Sequence, residues 1–150
     1  MVLAWLTLPD SLRLPSQEFI SMYNLTSFSH SYGQSIYHIV LIPYKRRKIF
    51  NIPGLKKRME NIFQEIFQRH NINVHVLRVM ADHVHIFLDM PGKMSLDRLF
   101  QVLKGLSSYM FFKDRPEMRE HFKKLWSAGK FFRTVGSVTA SAVEYYIKNQ

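Results

Sequence analysis

"NVHVLRVMADHVHIFLDM", residues 73–90, is the stretch from which the fold is read. Two apolar, β-branched segments, 73–80 and 82–90, stand with almost nothing between them, which makes an antiparallel hairpin. Pro91 and Gly92 end the second segment. Side chains alternate along a strand, so His83 and His85 share one face and Val84 and Ile86 take the other. Two same-face neighbours can share one metal ion. An H-x-H pair on a strand is equally compatible with two tolerated histidines on an open sheet face.

Upstream, "IYHIVLIPY" (36–44) reads as a strand running straight into Lys45, Arg46, Arg47 and Lys48. "PGLKKRMENIFQEIFQRH" (53–70) then places Leu55, Met59, Ile62, Phe63, Ile66 and Phe67 at helical spacing, with one face inward. Downstream, Ser95 N-caps a helix whose stripe is Leu96, Leu99, Phe100, Leu103 and Leu106, with Gln101, Lys104 and Ser108 facing elsewhere. Pro116 suits the first turn of a further helix, residues 116–125. "FFRTV" (131–135) is a short strand stopped by Gly136, and Thr139 caps a last helix through "SAVEYYIKNQ". The order β-α-β-β-α-α-β-α contains a split β-α-β unit. The expected class is α+β: a ferredoxin-like (RRM-like) antiparallel sheet with helices on one face.

The chain has 150 residues and is 47% hydrophobic, enough for one domain with a real core. Its net charge of +10 argues for a polyanionic partner. There is no cysteine, which excludes disulfides and thiolate zinc sites and fits a cytoplasmic location. No apolar run approaches the ~20 residues that span a bilayer, so no membrane partner is expected. The apolar start "MVLAWLTLPD" lacks a basic region and is cut short by Pro9, unlike a signal peptide. Residues 1–28 do not fit the repeating pattern. They read as an N-terminal arm, or as sequence preceding a natural start at Met22, with the main domain at 29–150.

The last helix offers partners for the histidines. Tyr146 and Gln150 are four apart and share a helix face. A glutamine carbonyl is a hard oxygen ligand, and a tyrosine beside it could be a nucleophile. Taken alone, Tyr145 and Tyr146 read better as amphipathic packing residues, and Gln150 as a frayed helix end. Asp89 lies six residues from His83, roughly 20 Å along a strand, too far to share an ion. Asp82 reads as a turn residue, or one bonded to a ligand. His38 and His75 read as lone strand histidines.

The motifs in order resemble those of the single-tyrosine His-hydrophobic-His (HUH) transposases of small insertion sequences, the insertion-sequence 200-like group. They are "SHSYGQSIYHIVLIPYKRRKIF", "ADHVHIFLDMP" with His83, Val84 and His85, the L-K-G-x-S-S core at 103–108, "LWSAGKFFRTVGSVT" and "YIKNQ". The resemblance covers residues 29–150. It implies cleavage and rejoining of single-stranded DNA at insertion-sequence ends through a 5′-phosphotyrosine. Tyr146 would be the catalytic residue, and His83, His85 and Gln150 the ligands of Mg²⁺ or Mn²⁺. It further implies DNA hairpins as partners and a homodimer in which the last helix can dock on the partner. Lys45, Arg46, Arg47, Lys48 and Lys104 are the candidate DNA contacts. The chain departs from the family at Phe131 and Phe132, where tyrosines are usual, and it stops at Gln150, where members usually continue. A domesticated relative with the same chemistry and a non-catalytic nucleic-acid binder remain as alternatives. No G-x-x-x-x-G-K-[ST] loop is present, as expected if the phosphoester energy stays in the covalent intermediate.

Overall fold

The computed structural model describes residues 26–28, 31–33, 35–135 and 147–149. They fall in two units, 1–35 and 36–150. In the first, β1 (Thr26–Phe28) pairs antiparallel with β2 (Ser31–Gly33). Strands of three residues carry too little alternation to be legible in sequence, and none was expected there.

The second unit runs β3 (Ile36–Leu41), α1 (Leu55–Arg69), β4 (Val74–Val79), β5 (Val84–Asp89), α2 (Leu96–Asp114), α3 (Met118–His121) and β6 (Phe131–Val135). The strands form one antiparallel sheet in the order β4-β5-β3-β6. This is the α+β split β-α-β arrangement read from the sequence. Ile39, Leu41, Val79, Val84, Ile86 and Leu88 share the sheet face that meets α1 and α2, and all are fully buried. The six apolar positions expected on α1 are its buried residues. Gly54 precedes α1 at φ 85, a conformation that a Cβ disfavours. Ser95 caps α2 by accepting a hydrogen bond from Arg98 N at 3.1 Å.

The helix expected over 116–125 is only α3, four residues long. Phe122 is extended, and the chain then continues without helix through bends at Lys123 and Leu125. There the segment pairs with the end of β3: Tyr44 N donates to Leu125 O and Ser127 N to Ile42 O, both at 2.8 Å. Those tertiary bonds, and burial of Leu125 and Trp126, outweigh local helical preference. Trp126 lies 6.1 Å, ring to ring, from both Phe50 and Phe63. Its Nε1–H donates to Ser107 Oγ at 2.8 Å, while Ser107 donates to Leu103 O.

The opposite sheet face carries a second, smaller apolar cluster: Ile36, Val76, Phe87 and Ile147. Ile147, in the last helical turn, is fully buried there. Thr139, Tyr145, Tyr146 and Gln150 lie outside the described residues. No helix among the described residues is long and apolar enough to cross a membrane.

Ser107→Ala removes the acceptor of a buried indole N–H. It is expected to lower the unfolding free energy by about 1–3 kcal/mol in urea denaturation. Ser108→Ala, at the neighbouring position and outside this bond, should change it by less than about 0.5 kcal/mol.

Candidate functional site

The histidines lie on the sheet face opposite the main core. Val40 stands opposite both His85 on β5 and Phe131 on β6, and His38 stands opposite Phe87 and Arg133. Arg78 on β4 is opposite His85. Directly opposed residues share a face, so His38, Arg78, His83, His85, Phe131 and Arg133 belong to one surface.

His85 is only 8% exposed. A buried imidazole is tolerated when its ring nitrogens have partners, and both do. His83 Nε2 lies 3.0 Å from His85 Nε2, the rings edge to face. His38 Nε2 lies 2.8 Å from His85 Nδ1, with the two rings stacked at 5.0 Å. His83 Nδ1 is in turn 2.7 Å from Asp82 Oδ1, and Arg46 Nε donates to Asp82 Oδ2 at 2.9 Å. A continuous chain thus runs His38–His85–His83–Asp82–Arg46. Burial, and secondarily the Arg133 guanidinium, lowers the pKa of His38 and keeps its imidazole neutral. The hydrogen bond from His83 holds the Asp82 carboxyl below the usual carboxylate range; partial burial opposes it and Arg46 adds to it.

His83 and His85 therefore come together as the sequence suggested, and Asp82 is the turn residue behind His83. His38 is not a lone histidine but the partner of His85. The missed signal was register: nothing in "IYHIVLIPY" reveals that residue 40 pairs with residue 85. His75 is not alone either. Its Nε2 is 2.9 Å from Asp89 Oδ1, and Asn73 Nδ2 donates to Asp89 Oδ2 at 2.6 Å. Asp89 is thus held away from His83. No group of three or more His, Asp or Glu side chains able to hold an ion occurs among the described residues. Gln150, the third ligand that the resemblance implies, lies outside the described residues.

The basic turn is strained. Lys45 and Arg46 adopt φ 56 and φ 52, the left-handed region that non-glycine residues seldom occupy. Its cations differ in role. Arg46 is tied to Asp82. Arg47 donates to His121 O at 3.0 Å and covers the Phe122 ring. Lys45 lies over Tyr44, and Lys48 is exposed. Lys104, on α2, turns inward and donates to Ser127 O and Gly129 O at 2.8 and 2.5 Å. Burial, with Lys130 nearby, lowers its pKa. Beside it opens a cleft of about 400 Å³ between α2 and residues 119–130. Arg119, Lys123, Lys124 and Lys130 line it with Lys104, over Phe100, Phe112 and Trp126; among the described residues no carboxylate lines it, and Lys130 pairs with Asp97. The sequence reading missed Arg119, Lys123 and Lys124; it placed all three on one helix over 116–125, which in the structure ends at His121.

The family described as "Transposase IS200 like" matches residues 31–150. The transposase for insertion sequence element IS200 of Salmonella typhimurium is 32% identical over 127 residues, which is 83% of this chain and 82% of that protein. Its Salmonella typhi counterpart matches equally. A crystal structure of a Deinococcus radiodurans protein described as a transposase superposes with TM-score 0.68 at 22% identity, over 83% of this chain and 97% of that one. A REP-associated tyrosine transposase bound to a REP hairpin superposes with TM-score 0.57 at 11% identity, over 81% and 70%. Four antiparallel strands in this order, an HUH pair on the face opposite the main core and a match over most of the length agree: the chain belongs to the IS200-like transposase family.

Proposed function

We propose that this transposase cleaves and rejoins single-stranded DNA at insertion-sequence ends, with Tyr146 as nucleophile and His83, His85 and Gln150 holding Mg²⁺ or Mn²⁺. The observation that supports it most directly is Ile147. The residue after Tyr146 is buried against Phe87, two positions from His85, on the histidine face.

The histidine pair suits the ion. The two Nε2 atoms are 3.0 Å apart. For both to present lone pairs, each ring must carry its proton on Nδ1. His83 Nδ1–H then donates to Asp82, and His85 Nδ1–H donates to His38 Nε2. A neutral His38 is the acceptor this requires, and its lowered pKa fits. Backing groups of this sort fix ligand tautomer and orientation. When bound, the ion would act as a Lewis acid on the scissile phosphate.

In cleavage, Tyr146 Oη bonds to phosphorus as the P–O3′ bond breaks, leaving a 5′-phosphotyrosine and a free 3′-hydroxyl. Rejoining is the reverse attack by a 3′-hydroxyl. The basic cleft and turn would hold the DNA, including hairpins of the type bound by the REP-associated relative. The work would take place in the cytoplasm, at the nucleoid. An element has two ends, so a homodimer is the proposed working unit.

A gel assay with single-stranded element-end DNA and Mn²⁺ should show a covalent protein–DNA adduct. Tyr146→Phe should lose it by more than about a thousandfold, while Tyr145→Phe keeps it. His83→Ala should lose the adduct but retain hairpin binding. The assignment is wrong if Tyr146→Phe still forms adduct. For His38, a positioning residue, His38→Phe keeps a stacked ring without an acceptor. Mn²⁺ affinity, read by electron paramagnetic resonance, is expected to fall about 10- to 100-fold. DNA binding in EDTA should not move, and unchanged Mn²⁺ affinity would remove His38 from the site. The dimer is checked by light scattering, where a monomer at assay concentrations would refute it. Mixing His83→Ala with Tyr146→Phe chains shows which chain supplies the tyrosine: if mixed dimers form and no adduct returns, each chain completes its own site. Restoration would mean that the last helix is exchanged between subunits.

A further inference from the structure

The reaction assigned above makes no use of Phe131, yet several features prepare it to meet a ligand. On the edge strand β6 its ring is 46% exposed, unusual for so large an apolar side chain. It lies on the histidine face, in the same cross-strand row as Val40 and His85. Two strand spacings separate it from β5, about 10 Å. Arg133, the next residue on that face of β6, is exposed and near His38.

The ring is also held in place. A Cβ on Gly129 would come within 2.8 Å of Phe131 Cε2 and 2.9 Å of Cζ, so the ring rests in space that only glycine leaves. The Gly129 backbone cannot easily yield, because its carbonyl accepts a hydrogen bond from Lys104 Nζ. Phe132 differs. Its ring is as exposed, at 49%, but it turns to the other face, near Tyr37 and Phe100 at 6.1 and 6.3 Å.

We infer that Phe131 is a stacking platform for a base of single-stranded DNA next to the phosphate held at the histidines, with Arg133 contacting the adjoining backbone. This rests on the single-stranded DNA reading of the site. An exposed, pre-positioned aromatic beside an arginine suits unpaired bases, which offer a π-face whatever their sequence, and not a duplex, whose bases are already stacked. A phenylalanine performs this role without the hydroxyl usual at this position, so the chain's departure from its family leaves stacking intact.

The test uses the full chain in EDTA with a fluorescein-labelled oligothymidylate and a duplex of equal length, read by anisotropy across a salt series. Phe131→Ala should weaken oligothymidylate binding roughly 5- to 100-fold and leave the salt slope unchanged, since stacking releases no counterions. Phe131→Tyr should bind like wild type. Gly129→Ala should imitate Phe131→Ala with a near-native denaturation curve, because the ring swings away. Phe132→Leu should lower stability without changing affinity. Arg133→Gln should flatten the salt slope by about 0.7. Duplex affinity should not respond to Phe131. If Phe131→Ala and Gly129→Ala bind oligothymidylate like wild type, the platform is refuted while the adduct assay still stands for the transposition chemistry. If wild type itself ignores the single strand, the platform falls, and adduct formation alone decides the transposition reading.

Discussion

Strand β5 is buried along its whole length, and its register carries the rest of the molecule. Val84, Ile86 and Leu88 close the main core, while His85, Phe87 and Asp89 face the other way. A slip of one residue would exchange the two sets, placing an imidazole and a carboxylate among Phe63, Phe100 and Met59. Stranding those groups without partners would cost several kcal/mol. Hydrophobic burial thus selects the register, and the register puts His85 opposite Val40, where His38 can reach it.

A second constraint joins two stretches that are distant in sequence. The L-K-G-x-S-S core of α2 and the W-x-x-G segment belong to one lock. Ser107 receives the indole N–H of Trp126, and Lys104 holds the carbonyls of Ser127 and Gly129. The lock fixes where β6 begins, and so where Phe131 and Arg133 emerge. Lys104 therefore contributes by shaping the interface with two of its three N–H donors, and Arg119, Lys123 and Lys124 supply exposed charge beside it.

The basic turn and the histidines are likewise coupled. Two consecutive left-handed residues, Lys45 and Arg46, store strain of order 1–3 kcal/mol each. The Arg46–Asp82–His83 chain is what that conformation makes possible.

The sequence by itself determined the α+β class, the helix over 55–69 with its six inward residues, the hairpin at 73–90 and the pairing of His83 with His85. These depend on periodicity within short windows, where backbone geometry alone dictates which side chains share a face. It also carried the family, through motifs in order. The tertiary structure alone decided what depends on contacts between distant segments. His38 joins His85 across 47 residues. The expected helix over 116–125 shrinks to four residues, because its chain bonds to the end of β3 instead. Lys104 turns from solvent to the backbone of another loop. Each is settled by long-range hydrogen bonding and burial, which outweigh local propensity by more than local propensity is worth.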